Sequence, residues 1–142
     1  YGDELARTLM AEGTKGDAHL RSFMNWEDLE SNAEKNGYKI PDVLDHWQKL
    51  GRFRNEHPAV GAGVHEMISS EPYLFSRKLN RHGITDRVLV CIGKPDQSLN
   101  VKDLFEDGTK LKDYYSNEIY TVSNGQIDLV MNQELYLLGK PL

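Results

Sequence analysis

The chain has 142 residues, 39% of them hydrophobic and 27% charged, which suffices for one hydrophobic core with an appended layer. Its net charge of −5, with Lys and Arg scattered along the sequence, excludes the clustered basic footprint of a nucleic-acid binder. No apolar run approaches the ~20 residues that would span a bilayer. The sequence opens on Tyr1 rather than a methionine, so an upstream stretch is expected to be missing, and the compartment stays open between secreted, periplasmic and cytoplasmic.

Residues 1–39 read as long loops around short helical turns at 3–11 and 27–34, because Gly13, Gly16 and Gly37 are interspersed with Asp, Asn and Ser. Loops of this length inside a compact domain have a function or a missing neighbour, and a missing neighbour is the favoured reading. Trp26 follows such a loop, where its flat apolar ring is a candidate for packing on the C–H face of a pyranose beside a cleft. An amphipathic helix is predicted over 41–56, since Val43, Leu44, Trp47, Leu50 and Phe53 recur at three- and four-residue spacing. Trp47 lies on that stripe and is expected in the core. Pro41 suits the first helical position, and Pro58 drives His57 out of helical geometry and stops the element.

Beyond Pro58 the pattern changes to short β-rich runs at 73–79, 87–92, 100–105, 111–115, 119–122, 126–130 and 135–138. His82-Gly83, Asp107-Gly108 and Asn124-Gly125 supply residues that tolerate positive φ between those runs, and so predict hairpins and antiparallel pairing. Tyr114 and Tyr115 should alternate faces, leaving at most one of them outward. Cys91, the single cysteine, sits in Val88-Leu89-Val90-Cys91-Ile92, a run read as a buried strand in which the thiol acts as a small apolar group. With one cysteine, neither an intrachain disulfide nor a cysteine-based zinc site can form.

Candidate catalytic sets fail on spacing. Asp3 and Glu4 are adjacent and, on an extended segment, point to opposite faces, whereas retaining glycosidic cleavage needs two carboxyl groups roughly 5–5.5 Å apart across the substrate. Glu27, Asp28 and Glu30 fit a solvated helix start. His65-Glu66 would need a second His at position 69, which is Ser, and the five histidines show no ligand spacing. Gly13-Thr14-Lys15-Gly16 lacks the eight-residue frame of a phosphate loop and reads as a turn.

Several segments taken in order carry a family resemblance. Tyr1-Gly2-Asp3-Glu4 resembles the signature closing the eighth barrel strand of family 13 glycoside hydrolases, the α-amylase type. Arg21-Ser22-Phe23-Met24-Asn25-Trp26 is similar to the stretch in the long loop that follows, and Leu50 to Val60, with its His57-Pro58-Ala59, resembles the final barrel helix and its exit. Tyr73-Leu74-Phe75-Ser76-Arg77, the Val88 to Ile92 strand, Leu111 to Ser116, Val122 to Ile127 and Leu135 to Leu138 are similar to the all-β domain behind that barrel, so the likeness covers essentially the whole chain.

The resemblance implies an α+β fold. Residues 1–58 would be the end of the catalytic (β/α)8 barrel, with its last strand end, a long loop and the final amphipathic helix, and residues 59–142 an antiparallel, sandwich-like C-terminal domain. The family's catalytic carboxylates would all lie upstream, so no catalytic residue is assigned here and the chain alone is expected to be inactive. Its parent would cleave α-glucans such as starch or maltodextrin by a retaining mechanism. The implied partners are the upstream barrel and the parent's α-glucan substrate, with no nucleic acid and no membrane span. No cofactor or metal ligand is transferred to this stretch, and calcium, where the family holds it, would belong to upstream parts of the parent. Trp26 is the one substrate-binding candidate. The alternative is a carbohydrate- or protein-binding β-module acting through exposed tyrosines; an independent small enzyme ranks last.

Overall fold

A computed structural model describes residues 2–8, 10–129 and 133–141. The chain divides into two compact units, 1–48 and 49–142. The long helix α2, Ile40–Glu56, runs through the division.

In the first unit, a 3-10 turn at Asp3–Leu5 and another at Gly16–Leu20 precede the short helix α1, Trp26–Glu30. Two strand pieces follow, β1 (Glu34–Lys35) and β2 (Tyr38–Lys39), paired antiparallel. They are joined at Asn36 and Gly37, both at positive φ. The helical turn expected over 27–34 is therefore confined to its beginning: Asn32 takes φ 54° and ends the helix. The Asn-Gly pair at 36–37 makes the tight hairpin that its chemistry favours. Of the turn expected over 3–11 only its first three residues are helical, as the 3-10 turn; Leu9 lies outside the described residues. Leu5 and Ile40 are the buried apolar side chains among the described residues of this unit, and the Ile40 amide donates to the Ala33 carbonyl at 2.9 Å.

The second unit begins with the C-terminal half of α2. The helix stops where Pro58 predicts, with His57 extended at φ −117°, ψ 94°. One further helical turn, α3 (Pro58–Ala62), uses that proline as its first residue. Then come β3 (Val64–Ser70), β4 (Tyr73–Arg81), β5 (Ile84–Ile92), β6 (Ser98–Asn100), β7 (Lys110–Asp113), β8 (Ile119–Thr121), β9 (Gln126–Asp128) and β10 (Leu135–Gly139). Six strands form one sheet in the order β3-β4-β5-β10-β7-β8, while β6 and β9 form a second, two-stranded sheet. Every one of these pairings is antiparallel. The architecture is α+β, with a mostly antiparallel domain following a short helical segment, as expected.

The two-residue alternation of strands sorts the apolar side chains into two cores. Leu74 on β4, Leu89 and Cys91 on β5, and Tyr136 and Leu138 on β10 share one face. They pack against Leu99, Val101, Leu104, Phe105, Ile127 and Leu129 from the β6/β9 layer and its flanks. Leu79, Val88, Val90 and Leu137 share the other face, under Phe53 of α2 and Ala59 of α3, with Leu50 and Val60 partly buried beside them. Both faces are thus covered, which explains why Val88 to Cys91 form a continuous buried run.

The hairpin signals hold at two places. His82 and Gly83, at φ 53° and 79°, close the β4–β5 turn between paired Arg81 and Ile84. Asn124 and Gly125, at 52° and 71°, close the turn bridged by Ser123 and Gln126. Asp107-Gly108 does something else: the Asp107 carboxylate accepts the Asn124 amide at 3.0 Å and the Gly125 amide at 2.7 Å, so it clamps the other turn.

Three expectations are corrected. The run 100–105 is a strand only as far as Asn100; Leu104 and Phe105 both donate to the Val101 carbonyl at 2.9 Å, a helical turn that satisfies one-sided burial of Val101, Leu104 and Phe105 at three- and four-residue spacing. Trp47 is 47% exposed rather than in the core. Strand β3 was not expected at all, because as an edge strand with almost every side chain exposed it shows no alternation to read. Val130, at the end of the run expected over 126–130, lies outside the described residues, and β9 ends at Asp128.

Candidate functional site

Arg7 sits between Gly2 and the loop before Trp26; Tyr1, the first residue of the Tyr-Gly-Asp-Glu signature, lies outside the described residues. The Arg7 guanidinium donates to the Leu20 carbonyl and the Ser22 hydroxyl. Gly2, at φ 85°, leaves room for the same side chain, since a Cβ there would meet Arg7 Nε at 2.5 Å. Trp26, which opens α1, is 58% exposed, and Phe23 is 93% exposed. Trp26 lines a cavity of about 420 Å³ with Met24, Asn25, Glu27, Asp28 and Lys35.

Asn25 organises the floor of this cavity. It is 5% exposed, and its side-chain amide donates to the Leu5 carbonyl at 3.0 Å and to Asp28 Oδ2 at 2.6 Å. Its own Oδ1 is buried without a hydrogen-bond partner among the described residues. The Lys35 ammonium closes on the same Asp28 oxygen. Hydrogen bonds from Lys35 and then Asn25 hold the Asp28 carboxyl below its usual range, with desolvation opposing and the Lys35 charge adding to the lowering. A carboxylate held ionised in this way accepts hydrogen bonds and is a poor proton donor at neutral pH, so Asp28 is suited to orienting a hydroxylated ligand beside the Trp26 ring rather than to protonating one.

The remaining candidates are placed apart from it. Asp3 and Glu4 lie in the 3-10 turn. His65 and Glu66 lie on β3, not on a helix, and His65 Nε2 sits 3.3 Å from the Tyr73 hydroxyl. His57 is wholly buried: Nδ1 pairs with Asp86 Oδ1 at 3.0 Å, and Asp86 Oδ2 accepts the Ala59 amide at 2.9 Å. The His57 ring packs against Phe53 and Tyr114 and over Gly139, where a Cβ would fall 2.4 Å from Nε2. The His-Pro-Ala segment is therefore a lock between helix exit and sheet. Asp113, also wholly buried, accepts the Leu137 amide at 2.8 Å, the Tyr115 and Ser116 amides, the Ser116 hydroxyl and the Gln133 side-chain amide. Neither Asp86 nor Asp113 was singled out from the sequence; an Asp followed at three residues by Ser, as in Asp113 and Ser116, is the local signal of such a turn. Among the described residues no three His, Cys, Asp or Glu side chains group as metal ligands would.

No protein-family profile matches the chain. Over 91 residues, 63% of this chain, it is 36% identical to the periplasmic alpha-amylase of Escherichia coli K12, of which that match is 12%. Among solved structures, an Anoxybacillus alpha-amylase, described as representing a new glycosyl hydrolase subclass, superposes with a TM-score of 0.61 at 20% identity, covering 100% of this chain and 28% of its own. AmyP in complex with maltose gives 0.63 at 20% identity over 98% of this chain and 30% of its own. The chain thus spans less than a third of the length of these relatives, and the structural likeness speaks to fold. In sequence the chain is thus similar to a stretch of one α-amylase, and in fold to a part of two others, consistent with the C-terminal portion of such an enzyme.

Proposed function

We propose that the chain is the non-catalytic C-terminal portion of an α-amylase-like glycoside hydrolase acting on α-glucans. In this reading residues 1–58 complete the catalytic barrel and residues 59–142 form the β-domain that steadies it. The observation that carries it is the asymmetry of coverage: the fold likeness takes in 98–100% of this chain and 28–30% of the amylases. Trp47 adds support, because it stays 47% exposed on a helical stripe whose Phe53 is buried, as a side chain awaiting a further packed layer would. The upstream barrel would supply both carboxyl groups of a retaining reaction. Trp26, with Asn25 beneath it, would hold one edge of the glucan.

The test is an assay of the 142-residue chain and of the longer enzyme on maltoheptaose. The chain alone should give no turnover above blank. In the longer enzyme, Trp26→Ala should raise KM by about tenfold, the loss of one stacked ring contact, with a smaller change in kcat. Hydrolysis by the chain alone would overturn the reading. The second reading, a ligand-holding β-module, draws on Tyr73, 37% exposed on β4 with its ring 5.3 Å from that of Phe75; retention of the 49–142 unit's β-strand amides' signals on a starch-affinity gel fraction, against free passage, distinguishes it.

A further inference from the structure

The sheet face opposite the helix layer carries a second cavity, of about 280 Å³, between the β3–β4 ladder and the turn after β6. Its polar lining is Glu66, Ser76, Lys78, Asn100 and Asp103, with Ile68, Val101 and Leu104 supplying an apolar wall. Ser76 lies directly across the ladder from Glu66 and is 0% exposed. Its hydroxyl nevertheless finds no hydrogen-bond partner among the described residues. Folding rarely leaves a buried hydroxyl unpaired, because desolvating it without a partner is costly, and such a group lining a cavity is one that a ligand can satisfy.

The chemistry of the lining selects the ligand. Lys78 Nζ pairs with Glu66 Oε2 at 2.9 Å, so these two charges cancel, and Asp103 leaves the cavity with a net negative charge. Phosphates and carboxylates are therefore repelled. Among the described residues Glu66 and Asp103 do not converge with a third His, Cys, Asp or Glu side chain as the ligands of a metal ion would. What fits is a neutral molecule whose neighbouring hydroxyls each donate and accept. Glu66 and Asp103 accept, Lys78 donates, and Ser76 does either. Asn100, whose Oδ1 already takes the Lys102 amide at 3.2 Å, has its amide hydrogens left to give. The apolar wall suits the C–H edge of a sugar ring. The volume, about 280 Å³, falls just short of the ~300 Å³ at which small-ligand clefts begin, which suits one end of a chain rather than a whole ligand.

We propose that this cavity binds one end of an oligosaccharide, with Ser76 and Glu66 as its central hydrogen-bonding pair, as a site separate from the Trp26 loop. The choice of an α-linked probe rests on the α-glucan reading above; the site itself does not. The experiment is a titration of the isotope-labelled chain with maltotriose, and in parallel with cellotriose, followed through backbone amide shifts. Maltotriose should move the amides of Glu66, Ser76, Lys78 and Asn100 together, saturating in the millimolar range. Glu66→Gln should weaken this binding about tenfold, as loss of a charged acceptor does. Ser76→Ala should weaken it severalfold without lowering the urea midpoint, since that hydroxyl carries no hydrogen bond within the fold; a buried serine that is merely structural would leave binding unmoved. Equal binding of both trisaccharides at these amides would uphold the cavity and count against the α-glucan reading. Shifts confined to residues 23–28, or no shifts with either sugar, would overturn the cavity proposal while leaving the α-glucan reading to its own test.

Discussion

At the scale of single residues, the second unit depends on buried carboxylates that bind backbone rather than substrate. Asp113 receives five hydrogen bonds, including that of the buried Leu137 amide. Asp113→Ala strands those donors, and at ~1–3 kcal/mol for each buried one the loss of stability should be about 3 kcal/mol or more, read as a lower urea midpoint at unchanged slope. Asp113→Asn, keeping one acceptor oxygen, should lose roughly half as much. Burial acts on two other groups through pH. It pushes the Cys91 thiol above its ordinary value of 9.0 and the Tyr136 phenol above 10.0, the latter helped by Tyr120, Asp113 and Cys91. Both are neutral acids in the fold that ionise more readily once unfolded, so their contribution is intact below pH 9.0 and is lost as pH rises through 9.0 and 10.0. The thermal midpoint should accordingly fall across that window, and Cys91→Ala should flatten its first part. Cys91 was legible because its four neighbours are all apolar. Asp86 and Asp113 were not, since an Asp on a turn and an Asp beneath a helix cap look alike until the distant backbone that each one binds is in place.

At the scale of elements, one helix faces two environments. Phe53→Ala should cost about 3–5 kcal/mol by emptying the core under α3, whereas Trp47→Ala, at a residue 47% exposed, should change the chain's stability by about 0.5 kcal/mol or less. Denaturation of both variants in urea checks the contrast; equal losses would mean that the stripe is buried along its whole length. The periodicity of α2 placed both residues on one face, and its ends were legible from Pro41 and Pro58. What periodicity cannot state is which part of a stripe finds cover. The same limit hid β3, whose residues meet solvent on nearly every side. It also turned the run after Asn100 into an expected strand, where the spacing of Val101, Leu104 and Phe105 specifies a turn of helix. The aromatic candidate fared better: Trp26 does line a cavity, but the Asn25 and Asp28 beneath it became visible only once Leu5 and Lys35 were brought to them.

At the scale of the whole molecule, both hydrophobic clusters lie in the second unit. Amide exchange should therefore be slowest in β4, β5 and β10 and fast before about residue 40, where Leu5 and Ile40 are the buried apolar side chains among the described residues. Uniform protection from the first residues onward would contradict this. The sequence pattern changes from helical to β-rich at Pro58, while compactness within this chain divides it inside α2.

The clamp that Asp107 places on the Asn124-Gly125 turn makes this reversal and the one at His82-Gly83 unequal hosts for foreign sequence. A Cβ on Gly83 would meet no heavy atom within 4 Å, whereas one on Gly125 would strike Lys102 Cβ at 2.7 Å. An epitope or fluorophore tag spliced between His82 and Gly83 should leave the protein folded. The same insert between Asn124 and Gly125 would unseat the Asp107 carboxylate and with it the layer that roofs the larger core.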